Sequence, residues 1–231
     1  MLDVANIDCF YGKVQVLRGL SLTARPGEVT CLMGRNGAGK STTLKAIMGL
    51  LPVTAGSVSL GGERLDTLPA HEVPKRGIGY VPQGRRLFAE MTVAENIEIG
   101  LMTRGHGKET REKVLDLFPR LRERLSQIAG TMSGGEQQML AMARAICLEP
   151  SVLLLDEPTE GLQPSMISLI RDVVVRLKAK NVAVVLVEQR VEAVLALADR
   201  VAFIENGYSR EVVAASELTP HSDLLRKYVG V

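Results

Sequence analysis

Long apolar runs are missing from these 231 residues: the longest, such as Val182 to Val187, fall far short of the roughly 20 residues a membrane span needs. Any part in membrane chemistry therefore has to come through a partner. The N-terminus has no basic-then-apolar stretch, so no targeting leader is expected there. Cysteine is scarce. Cys9, Cys31 and Cys147 are odd in number, widely spaced and set in apolar surroundings, which excludes a disulfide frame and predicts reduced core thiols of a cytosolic protein. The histidines at 71, 106 and 221 have no partner at ligand spacing, so a His or Cys metal centre is not expected. Charge of one sign is not in excess either. With 28 Lys+Arg against 26 Asp+Glu the net charge is +2, too little for a nucleic-acid or anionic-membrane footprint. Arg120, Arg122 and Arg124 gather, but Glu123 interrupts them and a solvated helix face accounts for the group. Repeats and low-complexity segments are absent.

What is present begins with 46% apolar residues, enough to bury a sizeable core. Gly34-Arg35-Asn36-Gly37-Ala38-Gly39-Lys40-Ser41-Thr42 fits G-x-x-x-x-G-K-[ST] at every fixed position. A β-branched and apolar run, Glu28 to Met33, precedes it, and Leu44, Ile47 and Met48 follow at helical spacing. Glycines between a strand and a helix start let backbone N–H groups close on an anion, and the helix N-terminus adds positive potential. Lys40 can reach the β- and γ-phosphates of a nucleoside triphosphate, and the Ser41 hydroxyl can ligate Mg²⁺, with Thr42 beside it. A Gly-rich turn that binds nothing is the alternative.

Strands are expected at Leu2 to Phe10 and Val14 to Leu22, joined by a turn at Tyr11-Gly12-Lys13, and strand character returns from Val53 to Leu65. Tyr11 can stack on a base or pack half-buried on a sheet edge. Ile78 to Val81 is a short strand ended by Pro82, with Gln83 after it. From Thr92 the text turns helical behind a Thr92-x-x-Glu95 capping box, and Gly105-His106-Gly107 separates two helices. Ser133-Gly134-Gly135-Glu136 opens another helix, Met139 to Leu148. Ser133 can cap it while the glycines leave its first N–H groups open to an anion, although Ser-Gly-Gly is also a common loop. Ser151 to Leu155 delivers Asp156 and Glu157 at its end, where a P-loop fold holds Mg²⁺ and polarises water. Pro164 to Ala179 is a helix with Pro in its first turn, Val182 to Val187 a buried strand running into Glu188-Gln189-Arg190, and Asn206-Gly207 a hairpin turn between Arg200 to Ile204 and Tyr208 to Val213. Ser222 to Tyr228 closes the chain as helix. The fold class expected is α/β: a P-loop NTPase with a mostly parallel core sheet, an N-terminal antiparallel β layer and a helical subdomain at about 85 to 150, all in one domain over 1–231.

In their order, the phosphate loop, Gln83, the Ser133 motif and Asp156-Glu157 resemble the ATP-binding cassette of ABC transporters along essentially the whole chain. The runs 156 to 164 and Val81 to Arg86, with Glu-Gln after the last core strand, narrow the resemblance to cassettes of bacterial branched-chain amino acid importers and their urea-importer relatives. The resemblance implies that Tyr11 stacks on adenine and that residues 34 to 42 hold the phosphates of ATP. Ser41, Gln83 and Asp156 would surround Mg²⁺, Glu157 would be the general base, and Ser133, Gly134, Gly135 and Glu136 would face ATP held by a second cassette. It further implies a membrane permease and, indirectly, a solute-binding protein as partners, no nucleic acid, and a position on the cytoplasmic face of the membrane. Two positions depart from the family at large, Gln189 where a His is usual and Gln163 where an Asp is usual. A repair-type cassette would be split by a long coiled coil, whereas about 90 residues separate Lys40 from Ser133 here. A ribosomal type carries two cassettes, and a small-molecule kinase or GTPase leaves Ser133-Gly134-Gly135 without a task.

Overall fold

The structure, a computed structural model, describes residues 1–230. Strands β1 (Leu2–Tyr11) and β2 (Val14–Ala24) form a hairpin, and β3 (Val29–Met33) leads through the glycine loop into helix α1 (Lys40–Ile47). Strands β4 (Val53–Leu60), β5 (Glu63–Arg64) and β6 (Ile78–Val81) follow. A run of helices comes next: α2 (Val93–Met102), α3 (Lys108–Leu117), α4 (Pro119–Arg122) and α5 (Gly134–Ile146). Then β7 (Val152–Asp156), α6 (Pro164–Ala179), β8 (Ala183–Val187), α7 (Val191–Leu197), the hairpin β9 (Arg200–Glu205) and β10 (Tyr208–Ala214), and α8 (Asp223–Tyr228) complete the chain. No helix among the described residues is long and apolar enough to cross a membrane.

Two sheets result. The N-terminal one is antiparallel, in the order β2-β1-β4-β5. The second has the order β10-β9-β3-β8-β7-β6, parallel throughout except for the β9-β10 hairpin at its edge. Every residue of β3, β7 and β8 is buried, as parallel strands covered on both faces require. Because side chains alternate along a strand, each central strand feeds two cores. Leu32, Leu154 and Val185 point to one side, where they pack with α1 and the antiparallel sheet. Cys31, Leu153, Leu155, Val184 and Leu186 point to the other, where the apolar faces of α2, α3, α5 and α6 cover them together with Tyr228 of α8. Tyr228 stacks at 5.1 Å on Phe203. All three cysteines are free and buried, and burial pushes the Cys147 thiol up to about 12.

The helix starts follow the capping expected. Thr92 and Glu95 cap α2 reciprocally, with Glu95 Oε2 accepting from the Thr92 N–H at 2.7 Å and Thr92 Oγ1 accepting from the Glu95 N–H at 3.2 Å. The arginine group lies on a largely solvent-exposed face, as expected, and forms surface ion pairs there. Arg122 pairs with Glu112 and with Asp116 at 2.7 Å, and Arg124 reaches Glu136 at 3.2 Å, because α4 folds back over both α3 and the start of α5. Helix α7 and its packing through Val191 and Val194 were not anticipated from the sequence.

Candidate functional site

The C-terminal ends of β3, β7 and β8 deliver the glycine loop, Asp156-Glu157 and Glu188-Gln189 to one edge of the parallel sheet, the place where open α/β sheets bind ligands. A cavity of about 460 Å³ opens there, lined by Asn36, Gly37, Lys40, Ser41, Gln83 and Glu157 among others, with Gln189 at its wall. Gly39, immediately before α1, has φ +113 and a Cβ there would lie 2.8 Å from Leu17 Cδ2, so a side chain is excluded by backbone and by packing together. Lys40 is buried and its Nζ donates to the carbonyls of Gly34 at 2.7 Å and Arg35 at 3.0 Å, so the lysine lies folded along the loop that an anion would occupy. Burial pulls its pKa below the usual lysine range, and the charges of Glu157 and Asp156 oppose that pull. Arg35 and Ala38 shape the loop: the Ala38 N–H donates to Arg35 O at 3.1 Å, and Ala38 O accepts from Gly207 in the β9-β10 turn at 2.9 Å. Tyr11 ends β1, remains 45% exposed, and is not among the residues lining the cavity; Val16 of β2 is.

The carboxylates sit opposite the loop. The Ser41 hydroxyl donates to Asp156 Oδ1 at 2.9 Å. Burial raises the pKa of Asp156, and the neighbouring Glu157 charge adds to it, while the Ser41 hydrogen bond works against both. Glu157 has φ +50, a left-handed backbone unusual for a residue with a Cβ, and its N–H donates to Val187 O on the next strand at 2.9 Å. Its side chain accepts from Gln189 Nε2 and, at 3.2 Å, from Gln83 Nε2. Gln83 also donates to Glu160 Oε2 at 3.0 Å. Thus the structure brings Lys40, Ser41, Gln83, Asp156, Glu157 and Gln189 together. Two further carboxylates were not singled out from the sequence. Glu160 was signalled only by lying in the same acidic run as Glu157, and Glu188 only by preceding Gln189.

The donor set suits a hard divalent cation. Ser41 Oγ and Asp156 Oδ1 already approach each other at the end of the phosphate loop, and the Gln83 amide nitrogen is committed to carboxylates, leaving its oxygen to offer.

A second cavity, of about 650 Å³, lies elsewhere on the molecule and shares no lining residue with the first. Ser133, Gly134, Gly135 and Glu136 form one wall, and Gly161, Leu162 and Gln163 another. Ser133 caps α5: Glu136 Oε2 accepts from the Ser133 N–H at 3.0 Å and from its hydroxyl at 2.8 Å. The neighbouring Arg124 and Arg120 charges add to those hydrogen bonds in holding the Glu136 carboxyl below the usual carboxylate range. Gly134 and Gly135 leave the first turn of α5 without β-carbons on this wall.

A strand, a glycine loop closed by Lys-Ser at a helix start, and a strand-end carboxylate pair across from it define a P-loop nucleoside triphosphatase. The ABC transporter family model matches residues 17–160, and the chain belongs to that family. It is 44% identical over 209 residues to the high-affinity branched-chain amino acid transport ATP-binding protein BraG of Pseudomonas aeruginosa, covering 90% of each chain. It is 36% identical to the probable branched-chain amino acid transport ATP-binding protein LivF of Archaeoglobus fulgidus, over 100% of this chain and 99% of that protein. Among solved structures it resembles an ATP-binding subunit of an ABC transporter, with TM-score 0.85 and 28% identity over 98% of this chain and 92% of the other. It also resembles dimeric MJ0796, a bacterial ABC transporter cassette, with TM-score 0.83 and 25% identity over 93% of this chain and 99% of that one.

Proposed function

We propose that this chain is the ATP-hydrolysing subunit of an importer that takes up branched-chain amino acids through a membrane permease. The substrate class rests on its likeness to BraG and LivF along nearly their whole lengths. The observation that carries the mechanism is the separation of the two half-sites: the phosphate loop and the Ser133 helix start open into different cavities. One ATP cannot be served by both from the same chain, so a facing cassette, a second copy or a paralogue, completes each site.

In this reading Tyr11 stacks on the adenine, and the N–H groups of residues 34 to 42 close on the phosphates while Lys40 exchanges the carbonyls of Gly34 and Arg35 for phosphate oxygens. Ser41, Asp156 and the Gln83 oxygen hold Mg²⁺, which when bound offsets phosphate charge. Glu157 takes the proton of the attacking water. Gln189 swings its amide from Glu157 to the γ-phosphate and donates there, a neutral N–H where a histidine would bring a titratable one. Ser133, Gly134, Gly135 and Glu136 meet the γ-phosphate held by the facing cassette. Closure of the pair on ATP drives the permease, which receives its solute from a binding protein, and places the cassette on the cytoplasmic face of the membrane.

The test is reconstitution with the permease into liposomes and measurement of labelled leucine uptake, with urea as the competing solute. ATP-dependent leucine uptake that urea leaves unchanged is expected. Uptake of urea but not leucine would overturn the substrate, and a purified chain that hydrolyses no ATP would overturn the motor.

A further inference from the structure

Glu188 takes no part in the chemistry above, yet it is only 4% exposed. A buried carboxylate is tolerated where its oxygens are filled by donors, and these are. Glu188 Oε2 accepts from the hydroxyl of Thr159, itself buried, and Oε1 accepts from the backbone N–H groups of Gln189 at 2.9 Å and Arg190 at 3.1 Å. The donors come from two loops. Thr159 lies two residues past Glu157 after β7, and Gln189 and Arg190 follow β8, the neighbouring parallel strand whose Val187 stands opposite Asp156. Arg190 opens α7 without a side-chain cap, so the first two N–H groups after Glu188 find their partner in its carboxylate. One side chain therefore ties the loop carrying Glu157 to the loop carrying Gln189, at the point where Gln189 Nε2 meets Glu157.

We infer that Glu188 is a positioning residue for ATP hydrolysis, fixing the backbone of Gln189 beside the Glu157 loop so that the Gln189 amide can reach the γ-phosphate, and acting on turnover through Gln189. The inference rests on the role given to Gln189 above. A carboxylate suits the task because its two oxygens accept from three donors at once, Oε2 from the Thr159 hydroxyl and Oε1 from the two backbone N–H groups. A glutamine keeps one oxygen for those N–H groups and turns its amide toward the Thr159 hydroxyl, which can then accept. An alanine keeps neither.

The experiment is a double-mutant cycle on the full chain, reading steady-state kcat and KM for ATP. Glu188→Ala is expected to lower kcat on the order of tenfold to a hundredfold with KM little changed, since the phosphate loop is untouched. Glu188→Gln should recover most of the rate. In a Gln189→Ala background, Glu188→Ala should cost nothing more. Should Glu188→Ala fail to fold, Thr159→Val removes one donor at constant shape and takes its place in the cycle, with a smaller loss that also vanishes beside Gln189→Ala. Losses that multiply in the double variant, or a KM that rises as kcat falls, would overturn the inference while leaving Gln189 its role. Wild-type turnover in Gln189→Ala alone would remove that role and the inference with it.

Discussion

In its proposed role as general base Glu157 must not wander, and before ATP arrives it is restrained at both ends. Its backbone is tied to Val187 and its carboxylate to Gln83 and Gln189. Gln189 is a donor that cannot titrate near neutral pH, whereas a histidine there can become cationic. Gln189→Ala should therefore lower turnover by the cost of one lost donor, on the order of tenfold to a thousandfold. Gln189→His should retain activity and acquire a pH dependence between about 6 and 8. ATPase profiles across that range check both, and a flat profile for Gln189→His would count against contact with the γ-phosphate. Asp156 offers a test of opposite sign. Its raised pKa means that the ionised carboxylate costs the fold stability. That cost is absent below the ordinary carboxylate value of about 3.9 and grows as pH rises from there through the folded value. Asp156→Asn should accordingly raise the Tm of the nucleotide-free chain at pH 7, lose most of that gain near pH 4, and reduce hydrolysis by at least about a hundredfold. Thermal scans at the two pH values, with an ATPase assay beside them, read all three.

At the scale of elements, local punctuation made some boundaries readable. Pro82 after β6 and Pro164 at the head of α6 left ends that match the folded elements, and the Thr92 capping box and the Ser133 cap fold as expected. Helix α7 carried no such mark: Arg190 gives it no side-chain cap, and Val191 to Leu197 is as apolar as a strand. The phosphate loop was legible because all its chemistry lies in nine consecutive residues. Glu188 and Thr159, 29 positions apart, matter only because β7 and β8 are neighbours, and a linear reading does not supply that pairing. The joint between the two sheets is likewise a tertiary fact. Gly207 has φ +84, and a β-carbon on it would lie 2.1 Å from Val16 O. Gly207→Ala should cost more than the 1–2 kcal/mol or so of a left-handed alanine, because the β2 backbone must also move. A thermal scan should register a fall of several degrees, and an unchanged Tm would mean that the joint yields freely. In the loop after β6, Phe88 is 47% exposed with the Arg144 guanidinium 5.2 Å from its ring centre, beside an apolar groove that includes Tyr80 and Leu148. As the proposed permease contact, Phe88→Ala should abolish most transport in the reconstituted complex while basal ATPase stays within about twofold. Equal loss of both would make Phe88 a core residue.

For the whole molecule, the parallel sheet holds the phosphate loop and the carboxylates as one rigid edge, while the Ser133 helix start opens into a separate cavity. The Ser133 hydroxyl and N–H are both engaged by Glu136 within the chain, so meeting a phosphate requires exchanging at least one of those hydrogen bonds. In the proposed facing pair, that exchange is favoured only when ATP supplies the new acceptor, and hydrolysis would remove it. The most direct measurement is sedimentation of the Glu157→Gln variant, which in this account binds ATP without cleaving it, in the presence and absence of ATP and Mg²⁺. The account expects a monomer or weak dimer without nucleotide, a dimer at saturating ATP, and a monomer again when Ser133→Arg fills the second cavity. A Glu157→Gln chain that binds ATP yet remains monomeric at every concentration would contradict it.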